Sequence, residues 1–378
     1  MNINMNLSKH KEFMRIALEL AVHGNPTPNP YVGCVIVKDG KIISKGYHKK
    51  CGEAHAEIDA LSNLKNKMKR DYMQRLNGST FYITLEPCTH YGRTPPCVDK
   101  IIEAKPKEVV IAMFDPNPLV KGKGIKKLKD TGIKVTLGIL EDEARELNKF
   151  YIKYIATNMP YVIMKSAVTK NWKISWGDGK NKQISSKESM VFAHELRNKV
   201  DAILIGVNTV LRDNPFLTTR LNSLKAQTKN PIRVILDSRL SIPLDANVFN
   251  NTLKDKNVII FAGKHAQHNK KMIKKKDILR KKGVKIFVCK DEKINIKKAI
   301  YALGKMGISS VLIEGGARIN TSAIKAKIVD EIYFVVAPFE VHDKPCLNVF
   351  AEKVKFGYKK VSVNKMGKDF LVNIIPKY

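Results

Sequence analysis

The sequence reads His55-Ala56-Glu57 and, further along, Pro87-Cys88-Thr89-His90-Tyr91-Gly92-Arg93-Thr94-Pro95-Pro96-Cys97. One histidine and two cysteines are ligands that zinc prefers, and a catalytic zinc ion keeps its fourth position for water. A glutamate beside the histidine can carry a proton between that water and a substrate. These residues predict a hydrolytic zinc centre that deaminates a heterocyclic ring, with His55, Cys88 and Cys97 as metal ligands and Glu57 as the catalytic residue.

The two-residue spacing of His55 and Glu57 restricts the geometry of this centre. Residues two apart on one helix point to different sides. Both therefore serve one site only if the helix begins there, which also presents free N–H groups and a partial positive charge to the site. Cys97 follows two prolines, which suit the start of a helix. A structural zinc site with His90 as fourth ligand is the alternative, and Glu57 argues against it.

The composition indicates the class of protein. With 378 residues, 44% of them hydrophobic, the chain is long enough for two domains with ordinary cores. No apolar run reaches the roughly 20 residues of a membrane span, and the N-terminal stretch lacks the apolar segment of a signal peptide. We therefore expect a cytoplasmic protein without a membrane partner. Its six cysteines are not expected to form a disulfide framework.

The net charge of +33 is compatible with a nucleic-acid partner. Lysine, however, is spread along the whole chain and accompanies abundant asparagine and isoleucine, whose codons are rich in A and T. A base-composition bias of the genome explains this pattern without any partner. We therefore do not expect the protein to bind nucleic acid.

Apolar periodicity predicts an α/β fold in both parts of the chain. In the first part we expect helices at 12–22 and from His55 onward, an amphipathic segment at 141–155, and strands at 31–37, 41–47, 79–85, 109–113 and 133–137. In the second part we expect strands at 162–167, 202–206, 233–237, 258–262, 284–288, 311–314 and 332–336. Pro160 disfavours a continuing helix, so we place a linker at 158–160 and domains at 1–157 and 158–378.

The zinc motif resembles the signature of the cytidine-deaminase-like superfamily, H-x-E with P-C-x-x-C. Here eight residues separate the cysteines, and the insert Gly92-Arg93-Thr94-Pro95-Pro96 is similar to that of the riboflavin-biosynthesis deaminases. Asn29-Pro30-Tyr31-Val32-Gly33, Gly46-Tyr47-His48 and Asp115-Pro116-Asn117-Pro118 resemble the same family. The resemblance implies a three-layer α/β/α domain that binds one Zn²⁺ and deaminates 2,5-diamino-6-(5-phosphoribosylamino)pyrimidin-4-one. It also implies substrate contacts from Asn29, His48, Arg93 and Asp115.

The second part, from about Tyr161 onward, resembles the reductase that is fused to such deaminases. The similar segments are Arg197, Gly206-Val207-Asn208-Thr209-Val210, Asp213-Asn214-Pro215, Leu217-Thr218-Thr219-Arg220, residues 231–238 and Ile313-Glu314-Gly315-Gly316-Ala317. The resemblance implies a dihydrofolate-reductase-like α/β domain that uses NADPH to reduce the ribosyl group of 5-amino-6-(5-phosphoribosylamino)uracil to ribityl, and a homo-oligomer. The implied NADPH contacts are Ala167, Thr169, Gln183, Thr209, Asp213, Ser238, Gly316, Ala317 and Arg318. The implied substrate contacts are Asn181, Arg197, Leu217, Arg220 and Glu314.

Two segments of the reductase part depart from the family pattern. Thr169-Lys170-Asn171-Trp172-Lys173 stands where the family has Ser-Leu-Asp-Gly-Lys, so a carboxylate is lost and a tight glycine position carries tryptophan. Gln183 replaces an aromatic residue that would pack against NADPH. One alternative is therefore an active deaminase with an impaired reductase. A nucleic-acid base deaminase is a further alternative, and the long cysteine spacing and complete second domain argue against it.

Overall fold

The computed structural model describes residues 2–89, 91, 95–118, 120–176, 183–221, 228–250, 252–342 and 346–378. It contains two compact units, Met1–Asn158 and Met159–Tyr378, each with its own sheet. Among the described residues, no helix is both long and apolar enough to cross a membrane.

The first unit is an α/β layer structure built on one mixed sheet. Its helices are α1 (Asn2–Ala21), α2 (Ala56–Met68), α3 (Tyr72–Leu76), α4 (Cys97–Glu103), α5 (Lys123–Asp130), α6 (Glu141–Leu147) and α7 (Lys149–Thr157). Its strands are β1 (Gly33–Lys38), β2 (Lys41–Tyr47), β3 (Thr80–Ile83), β4 (Glu108–Ile111) and β5 (Lys134–Leu137). Across the described residues the strand order is β2-β1-β3-β4-β5, with β1 antiparallel to both neighbours and the other pairs parallel.

The predicted helices and strands of this unit are present, and α1 differs most from its expected bounds. It begins at Asn2, whereas the apolar pattern predicted a start at residue 12. Residues 5–9 at its start are exposed. An exposed helical segment carries no apolar stripe, so the sequence pattern gave no signal for its first turns.

Two glycines set how closely helices pack on the sheet. A Cβ on Gly33 of β1 would lie 1.9 Å from the Ala17 carbonyl oxygen of α1. A Cβ on Gly46 of β2 would lie 2.2 Å from the Ala60 nitrogen of α2. Only glycine permits this backbone approach, and it fixes the position of α2, the helix that begins after His55.

The second unit contains a larger, mostly parallel sheet. Its strands are β6 (Tyr161–Thr169), β7 (Ala202–Gly206), β8 (Ile232–Leu236), β9 (Val258–Ala262), β10 (Lys285–Val288), β11 (Ser310–Ile313), β12 (Glu331–Ala337), β13 (Gly357–Met366) and β14 (Asp369–Lys377). Its α-helices are α8 (Lys187–Lys199), α9 (Val207–Asp213), α10 (Thr252–Asp255), α11 (Lys270–Lys281), α12 (Ile296–Lys305) and α13 (Ala317–Lys325), and 3₁₀ turns span Asn247–Phe249 and Lys264–Gln267. Within the described residues the order is β10-β9-β8-β7-β11-β6-β12-β14-β13, and the strands from β10 to β12 are parallel.

Alternate side chains of the central strands enter two separate cores. On β7, Leu204 belongs to one buried cluster, whereas Ile203 and Ile205 belong to the other. Because successive strand side chains point to opposite faces, the sheet is covered on both sides. This arrangement explains why these strands appear in the sequence as continuous apolar runs.

The antiparallel hairpin of β13 and β14 is absent from the sequence predictions. Nearly every residue of β13 is exposed or half-buried, so this edge strand lacks the alternation that identifies a half-buried strand.

Candidate active sites

The start of α2 brings His55 and Glu57 to one place in the first unit. His55 is the N-cap residue, with an extended backbone (φ −69°, ψ 162°), and Glu57 lies in the first turn. Glu57 is buried, with 4% of its surface exposed. The helix therefore meets the site with its N-terminal end, as the spacing of the two residues required.

Two cysteines from other elements complete this cluster. Cys88 follows β3, and Cys97 is the first residue of α4. The Nδ1 atom of His55 lies 3.6 Å from Cys88 Sγ and 3.3 Å from Cys97 Sγ. Among the described residues this is the one group of three or more histidine, cysteine or acidic side chains whose ligand atoms all lie within 4.8 Å of one another. His90, the possible fourth ligand, lies outside the described residues.

The pKa values of the two cysteine thiols shift in opposite directions. The Cys97 thiol donates to Cys88, which lowers the pKa of Cys88, and His55 lowers it further. The same contact raises the pKa of Cys97, and burial adds to that effect. One sulfur is therefore held as a thiolate in the metal-free site. Two sulfurs and one imidazole nitrogen form the donor set that zinc prefers, with room for a fourth ligand, so the residues fit this metal.

Glu57 lies beside the sulfur atoms of Cys88 and Cys97. Burial and the nearby Cys88 thiolate raise the pKa of Glu57 to about 7, against a smaller opposing effect of His55. A carboxyl group that titrates near neutral pH can both accept and donate a proton. This property suits the catalytic role predicted for Glu57.

His48 and Asn29 form a hydrogen-bonded chain next to the cluster. The rings of His48 and His55 lie 5.2 Å apart. Because the Ala54 carbonyl oxygen can only accept, His48 Nδ1 carries the proton and donates to it at 3.0 Å. Burial lowers the pKa of His48 and favours its neutral form, so Nε2 accepts from the Asn29 amide nitrogen at 3.1 Å. Asn29 Oδ1 is then oriented as a hydrogen-bond acceptor for a ligand.

The other predicted substrate contacts of the first unit are Asp115 and Arg93. Asp115 is buried, and its Oδ1 accepts from the Tyr151 hydroxyl at 2.9 Å and from the Asn117 backbone N–H at 2.9 Å. Tyr151 was not predicted, because its contact with Asp115 joins residues 36 positions apart. Arg93 lies outside the described residues.

The second unit gathers predicted site residues at the carboxyl ends of adjacent parallel strands. Thr169 ends β6, Glu314 follows β11, Gly206 ends β7 and Ser238 lies shortly after β8. These four strands are neighbours in the order β8-β7-β11-β6. In open α/β sheets ligands bind at the carboxyl ends of the strands, so this edge is the candidate site of the second unit.

Arg197 and Glu314 form a paired centre at this edge. Arg197 Nε donates to Glu314 Oε1 at 2.8 Å, and Nη2 donates to Oε2 at 2.6 Å. Nη1 also donates to the Thr218 carbonyl oxygen at 3.2 Å. Burial opposes the charge on Glu314, but Arg197 outweighs it and the pKa of Glu314 is lowered. The backbone N–H of Arg220 donates to His194 Nδ1 at 3.2 Å, and the side chain of Arg220 is exposed.

Lys165 is a residue of this centre that was missed from the sequence. It lies on β6 and interacts electrostatically with Glu314 and Arg197. Burial lowers the pKa of Lys165, against the opposing effect of Glu314. The signal that could have found it is a lysine directly after the apolar run 162–164 of this strand.

The Gly315-Gly316 pair forms a backbone cradle beside this centre. Gly315 has a φ of +95°, in the left-handed region that favours glycine. Gly316 is the N-cap of α13, and its N–H donates to the Thr209 hydroxyl at 3.2 Å. Ala317 and exposed Arg318 form the first turn of α13. Backbone N–H groups at such a helix start suit a phosphate group.

The remaining predicted residues occupy different environments. Ala167 is half-buried on β6, and Asp213 ends α9 as an exposed residue. Leu217 has a φ of +55°, and its side chain packs into the core. A ligand at this position would therefore contact the backbone of Leu217. Gln183 is exposed and donates to the Ser185 carbonyl oxygen at 2.7 Å. Asn181 lies outside the described residues.

The divergent turn after β6 is well formed. Trp172 has a φ of +62°, a conformation rare for residues other than glycine, and its ring packs edge-on against Phe334 at 5.1 Å. Asn171 Oδ1 accepts from the Thr169 hydroxyl at 2.6 Å and from the Val341 N–H at 3.2 Å. Asn171 Nδ2 donates to the Val341 carbonyl oxygen at 2.8 Å. Tryptophan thus occupies the glycine position after all, and the asparagine amide binds the turn to the segment after β12.

Both parts of the chain match known families. Residues 7–113 match the cytidine and deoxycytidylate deaminase zinc-binding region, and residues 160–370 match the RibD C-terminal domain. The chain is 40% identical over 370 residues to the riboflavin biosynthesis protein RibD of Aquifex aeolicus, covering 96% of this chain and 97% of that protein. The chain belongs to the RibD family.

Solved RibD structures match the chain over nearly its full length. A RibD structure from Acinetobacter baumannii has a TM-score of 0.83 and 33% identity, covering 98% of this chain and 100% of that one. A Thermotoga maritima diaminohydroxyphosphoribosylaminopyrimidine deaminase/5-amino-6-(5-phosphoribosylamino)uracil reductase has a TM-score of 0.81 and 34% identity, with the same coverage. RibD membership confirms the predicted fold class, a cytidine-deaminase-like domain followed by a dihydrofolate-reductase-like domain, and the use of Zn²⁺ and NADPH.

Proposed function

We propose that residues 1–157 deaminate 2,5-diamino-6-(5-phosphoribosylamino)pyrimidin-4-one and that residues 158–378 reduce 5-amino-6-(5-phosphoribosylamino)uracil at its ribosyl group. The two reactions are consecutive steps of riboflavin biosynthesis. The observation that carries the proposal is the cluster of His55, Cys88 and Cys97 with buried Glu57 in the adjacent helix turn. The three ligand atoms suit zinc, and the carboxyl group is placed for proton transfer.

In the deaminase site, His55, Cys88 and Cys97 hold the metal. Zinc bound there would lower the pKa of a water molecule, and this water would serve as the nucleophile toward the ring carbon that bears the amino group. Glu57 would take one proton from that water and pass it to the ring nitrogen, then take the second proton from the new hydroxyl group and pass it to the departing amine. The carboxyl group is unchanged at the end of the reaction.

Asn29, His48, Arg93 and Asp115 bind the substrate of this site. The hydrogen bond from the Asn29 amide nitrogen to His48 turns Asn29 Oδ1 toward the ligand, where it accepts from a pyrimidine N–H group. Arg93 pairs with the phosphate of the ribosyl group, since a guanidinium matches phosphate geometry.

In the reductase site, Arg197, Arg220, Asn181, Leu217 and Glu314 bind the phosphoribosyl substrate. Arg197 has five N–H groups, of which three are used by Glu314 and Thr218. The other two remain for the substrate. Lys165, a cation with a lowered pKa at the same place, donates a proton to the ribosyl oxygen that becomes a hydroxyl group.

NADPH would be held at the carboxyl ends of β6, β7, β8 and β11. The residues that would hold it are Ala167, Thr169, Gln183, Thr209, Asp213, Ser238, Gly316, Ala317 and Arg318. Bound NADPH supplies the hydride that reduces the ribosyl carbonyl carbon. The N–H groups at the start of α13 bind a phosphate of the cofactor. The reductase remains active despite the divergent turn, because Asn171 and Trp172 are both accommodated by hydrogen bonds and packing.

We further propose that the protein is a cytoplasmic homo-oligomer. All six cysteines lie within the described residues and are free thiols, which supports a reducing compartment.

Within the described residues, β13 pairs with β14 alone and exposes Tyr358 (64%), Val361 (42%) and Val363 (58%). The unpaired backbone groups of an edge strand are a template for a second chain. Light scattering should report an oligomer, and a monomer at all concentrations would contradict this part of the proposal.

Selective removal of the metal tests the assignment of the two activities. Protein stripped of zinc by a chelator should release no ammonia from the diaminopyrimidine but should still oxidise NADPH with the deaminated substrate. Zinc addition should restore ammonia release. Loss of both activities, or of neither, on zinc removal would contradict the assignment.

A further inference from the structure

Glu86 is a buried carboxylate close to the zinc ligands that the proposed reaction does not use. It lies two residues before Cys88 and exposes 3% of its surface. Its backbone N–H donates to the Met113 carbonyl oxygen at 3.0 Å, which joins the chain after β3 to the chain after β4. The side chain therefore lies between the segment that carries Cys88 and the segment that carries Asp115.

Both oxygens of Glu86 accept backbone hydrogen bonds. Oε2 accepts from the N–H groups of Asp115 at 3.3 Å and Gly122 at 2.9 Å. Oε1 accepts from those of Gly124 at 3.0 Å and Ile125 at 3.3 Å. Three of these four donors belong to the N-cap and first turn of α5. The negative charge thus satisfies free N–H groups and the positive end of that helix.

Gly124 shows how tightly this region is packed against the metal-binding turn. A Cβ on Gly124 would lie 2.3 Å from the Pro87 carbonyl oxygen and 3.3 Å from Glu86 Oε1. The start of α5 therefore touches the residue immediately before Cys88. Any movement of α5 is transmitted directly to the backbone that places the Cys88 sulfur.

We propose that Glu86 is a positioning residue of the deaminase, which fixes the zinc ligand Cys88 and the substrate contact Asp115 through one carboxylate. The inference rests on the proposed zinc site. Glu86→Gln replaces one acceptor oxygen by an NH₂ group. That group would face backbone N–H groups, which are also donors, and the negative charge at the start of α5 would be lost. The turn before Cys88 and the loop at Asp115 should then loosen together.

The matched control is Glu108→Gln. Glu108 is also a buried carboxylate of this sheet, at 7% exposure, and it accepts from Thr136 and Lys134. It pairs in register with Thr80 at the start of β3, whereas Cys88 follows the end of that strand. Both variants lose a buried charge and should be destabilised, but only Glu86 is linked to the metal-binding turn.

The test measures zinc release into a colorimetric chelator and the steady-state kinetics of zinc-saturated enzyme. Glu86→Gln should release zinc about 10-fold faster or more, as is typical when the support of a metal ligand is lost, and should raise the KM for the diaminopyrimidine. Glu108→Gln should change neither. Gly124→Ala, which displaces Pro87 and keeps the carboxylate, should also speed zinc release.

The outcomes separate this inference from the proposed function. Wild-type protein that binds no zinc would overturn the proposed function. Wild-type protein that binds zinc, together with Glu86→Gln and Glu108→Gln variants of equal zinc release and KM, would overturn the role of Glu86. If Glu86→Gln fails to fold, Glu86→Asp, which keeps the charge and shortens the reach, is put to the same test.

Discussion

Glu57 and Glu314 are both buried carboxyl groups, one in each unit, and their pKa values shift in opposite directions. Glu57 is 4% exposed, and burial with a nearby thiolate raises its pKa to about 7. The side chain of Glu314 is 12% exposed, but two hydrogen bonds from Arg197 lower its pKa. The difference shows that an arginine partner outweighs the effect of burial. The carboxyl group beside the thiols exchanges protons, whereas the one paired with Arg197 remains charged.

The largest expected effect is on Glu57, the carboxyl group beside the thiols. Glu57→Gln removes the proton carrier and should lower the rate of ammonia release by about 10²- to 10⁴-fold, the range for general acid–base catalysis. Zinc content, measured by atomic absorption, should stay the same because Glu57 is not a ligand. NADPH oxidation by the same preparation is the control and should be unchanged. Full ammonia release by the variant would exclude Glu57 as the proton carrier.

The paired carboxyl group should respond differently. Glu314→Gln leaves the Arg197 charge buried without its anion, which typically costs about 3–5 kcal/mol of unfolding free energy. Urea unfolding of the second unit should show this loss, and kcat/KM of the reductase should fall. Ammonia release should stay at the wild-type level. A variant with unchanged stability would mean that Arg197 has another anionic partner.

The opposite pKa shifts predict opposite pH dependences of stability. In zinc-free protein the folded pKa of Glu57, about 7, exceeds the unfolded value of about 4.3. Stability from this group is therefore complete below pH 4 and lost as pH rises toward 7, by about 4 kcal/mol. The lowered pKa of Glu314 instead gives stability that is present at neutral pH and lost as pH falls through its folded pKa.

Unfolding measured as a function of pH on the two glutamine variants tests these signs. Zinc-free Glu57→Gln should gain stability over wild-type protein at pH 8 and little at pH 4. Glu314→Gln should be less stable at pH 7, and its deficit should shrink in acid. If the stability difference from wild-type protein changed with pH in the same direction for both variants, the opposite pKa shifts of Glu57 and Glu314 would be contradicted.

A smaller effect is expected at the divergent turn of the reductase unit. Asn171→Asp restores the family's residue but removes the donor to the Val341 carbonyl oxygen, which should cost about 1–3 kcal/mol and raise the KM for NADPH. Asn348→Asp is the control, because Asn348 is exposed and its Oδ1 accepts from Lys173, an interaction that aspartate keeps. Higher reductase activity in Asn171→Asp would support the alternative of an impaired reductase.

Local sequence spacing carries more information about the deaminase residues than about the reductase residues. His55, Glu57, Cys88 and Cys97 lie in two short motifs whose local spacing requires helix starts, and helices begin at Ala56 and Cys97. The reductase edge instead combines the ends of four strands, which only tertiary packing brings together.

The features that the sequence did not reveal depend on long-range contacts. Lys165 lies in an apolar strand that also fits a purely structural role, and its meaning depends on Glu314, far along the chain. The left-handed backbone of Trp172 is supported by Phe334, and the four donors to Glu86 come from a loop and helix after the next strand. Local patterns contain none of this information.

The most direct measurement is a two-stage assay on a single wild-type preparation, which follows ammonia release from the diaminopyrimidine first and NADPH oxidation second. The two-site account predicts one ammonia released and then one NADPH oxidised for each substrate molecule. Glu57→Gln should slow ammonia release but leave NADPH oxidation unchanged when the deaminated substrate is supplied directly. Ammonia release without any NADPH oxidation at high enzyme concentration would contradict it.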